Sequence, residues 1–348
     1  MTLAAPRTLD EALSPVWLTA ALGTRFPGVV VTAVHPGPVD DRVSTNALFS
    51  IEVQEPPPLG LPLDLCLKGY FGEAGRAASS VGVTEALFYR DLLAETGICS
   101  LPLVYADVDA ARGLGTVITA DVVAQGCTFP DPRTASSVDQ VAESLGQLAM
   151  LHAATWQAPR WADQTWLAPK MQMLAGAGRT GVVHASLEGA VGAGIPVRTR
   201  DPERLLSAYT RLAVEVETEA EWAVMHGDPH LGNVFLDAAG RPSFLDWQLV
   251  QRGAWYIDVS YHIASSLDIE HRRKHERDLL AHYLDRLAAG GVEAPESSAA
   301  WDCVRRGVVH GLFLWSITQR VDPAVTAVLL SRLGTAADDF EALRCGER

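Results

Sequence analysis

Two hydrophobic periods divide this chain. Over the first third, apolar residues gather in runs of strand length at 29–34, 47–53, 63–70, 101–107 and 115–120. The first of these is rich in β-branched residues, which suit a pleated, half-buried surface, and each run predicts a strand. The links PGPVDDRVST and EPPPLGLP are dense in turn formers, so the first three strands read as neighbours in an antiparallel sheet. Helices are expected on either side of them. One covers residues 8–26, entered at Thr8 or Ser14 and stopped near Pro27. The other covers 80–95, where Val83, Leu87, Phe88 and Leu92 recur at helical spacing and Gly97 closes the run.

From Ser136 the helical period takes over, with long amphipathic stretches at 138–156 and 201–221. Two short strands at 234–236 and 243–245, joined by the turn from Asp237 to Pro242, interrupt it, and helices then run onward. The Gly- and Ala-rich stretch 175–197 is expected to contain a loop, and no internal repeat is visible. The pattern predicts an α+β protein in two lobes: an antiparallel sheet with a helix at 1–122, then a larger, mainly helical lobe at 123–348. A cleft between two such lobes is a usual ligand site.

Composition narrows the function. The chain has 348 residues, 48% hydrophobic and 20% charged, which suits a globular enzyme of two lobes. Its formal charge of −14 lacks the basic footprint that a nucleic acid or an anionic membrane requires, so neither is expected as a partner. Cys66, Cys99, Cys127, Cys303 and Cys345 are scattered without CxxC spacing, which predicts neither a disulfide framework nor a zinc site. The N-terminal segment lacks the pattern of a signal peptide, and no apolar run reaches 18 residues. A cytoplasmic protein is the expectation, a monomer by default with a dimer open.

The densest chemistry lies in His226-Gly227-Asp228-Pro229-His230-Leu231-Gly232-Asn233, followed by Asp246-Trp247-Gln248. Phosphoryl transfer needs neutralisation of phosphate charge, alignment of the acceptor hydroxyl and a place for its proton. Mg²⁺ prefers oxygen ligands, and Asn233 and Asp246 supply them from the neighbouring ends of two short antiparallel strands. Asp228, on the preceding loop, suits the acceptor side. His226 and His230 are alternative metal ligands of a hydrolase type, although a role for His226 in holding the loop is the stronger reading.

HGDPHLGNVF with LDWQ resembles the aminoglycoside-phosphotransferase-like branch of the protein-kinase-like superfamily, nearest the ecdysteroid-kinase-like, or CHK-kinase-like, small-molecule kinases. The resemblance spans nearly the whole chain and implies a bilobal protein-kinase-like fold. It implies ATP and Mg²⁺ as cofactors and a small-molecule alcohol as substrate. Within it, Asp228 matches the catalytic Asp, and Asn233 and Asp246 match the metal ligands. Lys68, ending Leu65-Cys66-Leu67-Lys68, matches the strand lysine on the ATP phosphates, and Glu85 matches the helix glutamate that pairs with it. His152, in LAMLHAATW, matches a packing position, and Asp258 matches an Asp that braces the catalytic loop.

Two departures stand out. No GxGxxG covers the phosphates; the turn Asp40-Asp41-Arg42-Val43-Ser44-Thr45-Asn46 takes its place, with Ser44 and Thr45 as the phosphate-loop candidates. The hinge reads Ala120-Asp121-Val122 where relatives carry Glu-Asp, and backbone groups at Ala120 and Val122 are the expected adenine contacts. ATP against GTP stays open. The competing readings are a metal-dependent hydrolase using Asp228 and His230, and a non-catalytic nucleotide-binding pseudokinase. The acceptor surface is expected to draw on 156–173 and on the stretch after Asp258; in the first, Trp156, Trp161, Trp166, Met171 and Met173 suit an apolar or ring-shaped alcohol or serve as core. Asp268 and Glu270 would suit an amine-bearing acceptor instead.

Overall fold

A computed structural model of the chain describes residues 3–72, 75–76, 79–176 and 178–344. Cys345 lies outside the described residues, and among them no disulfide forms. The chain divides into two compact units. One comprises Met1–Glu95, Ser100–Thr128 and Leu245–Leu249; the other comprises Thr96–Cys99, Phe129–Phe244 and Val250–Arg348.

The first unit is built on a five-stranded antiparallel sheet. Its strands are β1 (Val31–Asp41), β2 (Thr45–Val53), β3 (Asp64–Gly69), β4 (Leu103–Asp109) and β5 (Leu114–Ala120), in the order β1-β2-β3-β5-β4. Alternation in β3 buries Leu65 and Leu67 on one face, under Trp17, Leu18 and Leu22 of the helix Pro15–Leu22. Cys66 and Lys68 therefore point to the other face. The helix Ser79–Leu87 covers that face, close enough that a Cβ on Gly115 of β5 would come 2.1 Å from the Gly82 carbonyl oxygen.

The second unit is mainly helical. Its long helices are Val138–Thr155, Pro202–Glu217, Trp255–Ser266, Ile269–Ala289, Ser297–Ile317 and Pro323–Asp339. Every residue of Trp255–Ser266 is buried, which marks that helix as the centre of the unit. Two small antiparallel pairs complete it. One joins β6 (Trp222–Met225) to β9 (Gln251–Ala254), and the other joins β7 (Val234–Leu236) to β8 (Pro242–Phe244). Among the described residues, no helix is long and apolar enough to cross a membrane.

The sheet and the helix-rich remainder match the expected α+β class, and several details differ from expectation. The helix expected over residues 8–26 is two helices, Leu9–Ala12 capped by Thr8 and Pro15–Leu22 capped by Ser14. Pro15 lacks an N–H and starts a helix readily, so it divides the run. β1 runs on to Asp41 through Pro36 and Pro38, which read as turn formers; an edge strand tolerates them, at a register shift between Pro36 and Val39. The helix at 80–95 passes through a π-helical turn at Phe88–Leu92. The β6–β9 pair carries no alternation over its four-residue strands, and its strands were expected within helical sequence.

Candidate active site

Within the first unit, three charged groups meet. The Lys68 Nζ donates to Glu85 Oε1 at 3.0 Å, lies 2.8 Å from Oε2, and donates to Asp246 Oδ1 at 2.9 Å. Lys68 reaches this point because it stands on the helix-covered face of β3, where Glu85 is buried. Asp246 reaches it because Leu245–Leu249 packs with the sheet unit. The buried Trp247 anchors that segment: its ring stacks on Phe88 at 3.8 Å, its indole N–H donates to Ser100 Oγ at 2.9 Å, and its backbone N–H donates to Glu85 Oε1 at 3.3 Å. Asp246 is held at φ +64°, a left-handed conformation sparsely populated by residues other than glycine and concentrated at functional sites.

Burial opposes the charge on Lys68, but the Asp246 and Glu85 carboxylates beside it raise its pKa well above the ordinary range. Burial also pushes the Glu85 carboxyl up, with the Lys68 ammonium pulling against it. Both directions have one cause: two carboxylates share one ammonium, and the trio favours additional positive charge.

Within the second unit, the loop from His226 to Asn233 is fixed by buried groups. Asp258 Oδ2 accepts the His226 N–H at 2.6 Å and Oδ1 accepts the Gly227 N–H at 2.9 Å, while His152 Nε2 lies 3.2 Å from Oδ2. Asp258 is fully buried; burial raises its pKa, and the His152 hydrogen bond and nearby donors outweigh that and lower it. His310 Nε2 meets the Gly227 carbonyl at 2.8 Å, and His262 Nδ1 meets the Pro229 carbonyl at 2.6 Å. Gly227 sits at φ +83°, where a side chain would be strained, so the loop can turn there.

This cage presents Asp228 and Asn233 together. The Asn233 amide Nδ2 donates to the Asp228 carbonyl at 2.9 Å and lies 3.3 Å from its Oδ2, which turns the Asn233 side-chain oxygen the other way. Tyr261 OH donates to Asp228 Oδ1 at 2.9 Å. Ring nitrogens of both loop histidines serve the backbone: His226 Nδ1 accepts the Asp228 N–H at 3.2 Å, and His230 Nδ1 accepts the Gly232 N–H at 2.9 Å. Among the described residues, no three His, Cys, Asp or Glu side chains gather as a metal-binding group.

The other candidates are placed as follows. Ser44 and Thr45 are buried at the β1–β2 turn; Thr45 pairs across the sheet with Gly69, and its hydroxyl donates to Asp41 Oδ1 at 2.6 Å. The turn thus shares the end of the sheet with Lys68. Ala120 closes β5, its N–H donating to Pro102 O at 2.9 Å, and the Val122 carbonyl accepts from Gln125 and Cys127. Trp161 and Met171 are buried, whereas Met173 is 65% exposed. Tyr261, His262 and His310 carry the loop and were missed in the sequence, because a helical Tyr or His has no local signature that separates it from ordinary core.

The model of the ecdysteroid kinase-like family matches residues 198–291, a stretch that includes Asp228, Asn233, Asp246 and Asp258. No curated protein is significantly similar in sequence. Among solved structures, a choline kinase from Streptococcus pneumoniae is similar, with 13% identity and a TM-score of 0.51, covering 89% of this chain and 94% of its own. An aminoglycoside phosphotransferase from Streptomyces rimosus has 18% identity and a TM-score of 0.45, covering 74% and 90%. An ethanolamine kinase from Plasmodium vivax has 10% identity and a TM-score of 0.48, covering 89% and 83%. Residues 198–291 are thus similar to the ecdysteroid kinase-like family, and the chain has a fold similar to that of the choline kinase.

Proposed function

We propose that the protein is an ATP- and Mg²⁺-dependent phosphotransferase that moves the γ-phosphate of ATP to a hydroxyl of a small molecule. The observation that carries this reading is Lys68, held between Glu85 and Asp246, residues 17 and 178 positions away in sequence. A lysine fixed by a helix glutamate beside a carboxylate is an arrangement that presents its cation to nucleotide phosphates in kinases.

The donor set fits a Mg²⁺ ion. Asp246 offers a carboxylate, and Asn233 offers its side-chain oxygen, because its Nδ2 is committed to Asp228. The ion would neutralise charge on the phosphates. Lys68 would contact the α- and β-phosphates while Glu85 holds it in place. Ser44 and Thr45 are assigned to the phosphate turn, and the backbone at Ala120 and Val122 to adenine. Asp228 would orient the acceptor and take its proton. As the acceptor O–H bond breaks, the proton passes to Asp228 and the oxygen bonds to the γ-phosphorus. The bond to the β–γ bridging oxygen breaks, and its electron pair leaves with ADP.

The experiment is ADP release from Mg·ATP with a panel of sterols, sugars, aminoglycosides, amino-alcohols and hydroxyacyl compounds, with Asp228→Ala as the blank. The expected result is acceptor-dependent release that the variant lacks, while its nucleotide affinity stays within a few-fold. Equal release by the variant refutes the role of Asp228. Nucleotide binding without release on any acceptor favours a pseudokinase, and no nucleotide binding at all refutes the reading.

A further inference from the structure

Lysine is scarce in this chain: Lys68, Lys170 and Lys274 are the only three among its 28 Lys and Arg residues. Lys68 is held by two carboxylates, and Lys274 lies exposed on the helix Ile269–Ala289. Lys170 is held differently. It precedes the short helix Met171–Leu174, in the stretch where the acceptor surface is expected. Its backbone N–H donates to Oε1 of the fully buried Gln251 at 2.6 Å. Its ammonium donates to the carbonyls of Val250 at 2.6 Å and Trp166 at 3.2 Å. Gln251 opens β9 and pairs with Met225, the residue immediately before His226. The ammonium is therefore seated at the end of the β6–β9 pair from which the loop carrying Asp228 departs.

Among the described residues, no carboxylate pairs with Lys170. Burial lowers its pKa to about 8, so it is still largely an ammonium at neutral pH. An ammonium has three N–H groups, and the two carbonyls take two of them. The surroundings share its sign. Residues 156–173 and β9 hold Arg160, Lys170 and Arg252 against a single acid, Asp163. Arg252 donates to the Ala162 carbonyl and lies 5.4 Å over the Trp222 ring, and Arg160 lies 4.7 Å over Trp161. A chain with 42 acidic residues has thus placed few of them here. Burying a charge without a counter-charge is costly, so a partner for the ammonium is worth most at this place. Trp161 and Trp166, edge-on at 6.4 Å, add apolar surface beside it. Asp268, which would suit an amine, instead caps the helix Ile269–Ala289 by accepting the N–H groups of Glu270 and His271.

We propose that Lys170 receives an anionic group of the acceptor, so that the substrate is an alcohol that also carries a carboxylate or a phosphate ester. This rests on the phosphotransferase reading and narrows its substrate class. The third N–H and the unmatched charge of Lys170 go to the acid group, a charge-assisted hydrogen bond of the stronger kind. The hydroxyl, elsewhere on the same molecule, is the group that Asp228 takes.

The test is NMR of the full chain labelled with ¹³C at lysine Cε, where three lysines give three resonances and Lys170→Arg and Lys274→Arg identify them by loss. The probes are ω-hydroxycarboxylates of graded length and hydroxymethylbenzoates, each beside its methyl ester, and hydroxyalkyl phosphates beside the parent diols. A carboxylate or phosphate probe is expected to move the Lys170 resonance saturably while its neutral partner does not, and the two series tell which acid group is taken. In ADP release, the anionic acceptor is expected to exceed its neutral partner by at least about tenfold in kcat/KM, the scale of one hydrogen bond to a charged group. Lys170→Met should lose that preference through KM and leave the neutral partner's kcat/KM within about twofold, whereas loosened folding would depress both. A Lys170 resonance that no anionic probe moves overturns the proposal, and so does an active acceptor whose acid and ester are used equally. The NMR measurement is made on the native protein and needs no turnover, so the two ideas fail separately. ADP release with an unmoved Lys170 resonance refutes the anion site alone. A moved resonance with no ADP release on any acceptor refutes phosphotransfer and leaves Lys170 as an anion-binding residue.

Discussion

Asp258→Asn isolates the anchor of the loop from His226 to Asn233. The substitution keeps the size of the side chain and exchanges one acceptor oxygen for an NH₂ that cannot accept. The carboxylate of the native residue takes two backbone N–H groups, from His226 and Gly227, at 2.6 and 2.9 Å, in a fully buried site. One of these must lose its acceptor. Losing a hydrogen bond to a charged group costs about 1.5–3 kcal/mol, and leaving a buried N–H unmade adds about 1–3 kcal/mol. A local loss of about 3 kcal/mol is expected, which is about a 150-fold increase in the opening equilibrium. Hydrogen exchange followed by mass spectrometry reads it directly. The peptide covering 224–233 should exchange about 100-fold faster, while a peptide from β2 and β3 keeps its native rate. Acceleration of less than about threefold would refute the claim that Asp258 holds the loop. The pH dependence follows from the same contacts. In the folded state the His152 hydrogen bond and the nearby donors hold the Asp258 carboxyl below its ordinary value, against the effect of burial. Its contribution is therefore complete above the ordinary carboxylate range and is lost as pH falls through the lowered value. Asp258→Asn should lack that acid-labile part of stability.

Lys68→Met should weaken Mg·ATP binding by at least about tenfold, since it removes a cation from the phosphates and leaves Glu85 and Asp246 in mutual repulsion; calorimetry showing native affinity would refute the role of the trio. Gly115→Ala would drive a Cβ to 2.1 Å from the Gly82 carbonyl oxygen, so a cost of about 1–3 kcal/mol and a lower melting temperature are expected. Unchanged melting would mean the helix Ser79–Leu87 does not pack so closely on β5. Burial lowers the His262 pKa from 6.5 to about 4. The unfolded chain then binds the proton that the folded one refuses, so stability should fall as pH drops from 6.5 toward 4, by up to about 3 kcal/mol. Urea titrations across that range should show a shallower fall in His262→Gln, and an identical slope would refute the assignment.

Much of the architecture was legible because it depends on local spacing. Runs of strand length in the first third and helical periodicity after Ser136 predicted a sheet followed by helices, and those elements are present. The loop and hairpin around Asp228, Asn233 and Asp246 are also local, lying within 19 residues of sequence. Pro15 dividing a helix and Pro36 continuing an edge strand were harder to read, because proline permits a helix start, a turn or an edge, and the neighbouring elements choose among them. The same limit hid Tyr261, His262 and His310, whose importance lies in what a helix places beside a loop 33 to 83 residues earlier.

The sequence by itself therefore determined the order and kind of elements and the chemical content of one loop, since both rest on hydrophobic period and on residue type within a short window. Tertiary structure decided the rest. It set Asp246 against Lys68 by packing Trp247 on Phe88, within the unit formed by the sheet. It suspended Asp228 from Tyr261 and anchored its loop on Asp258. Those contacts join residues far apart in the chain, and only the burial of their apolar neighbours brings them within hydrogen-bonding distance.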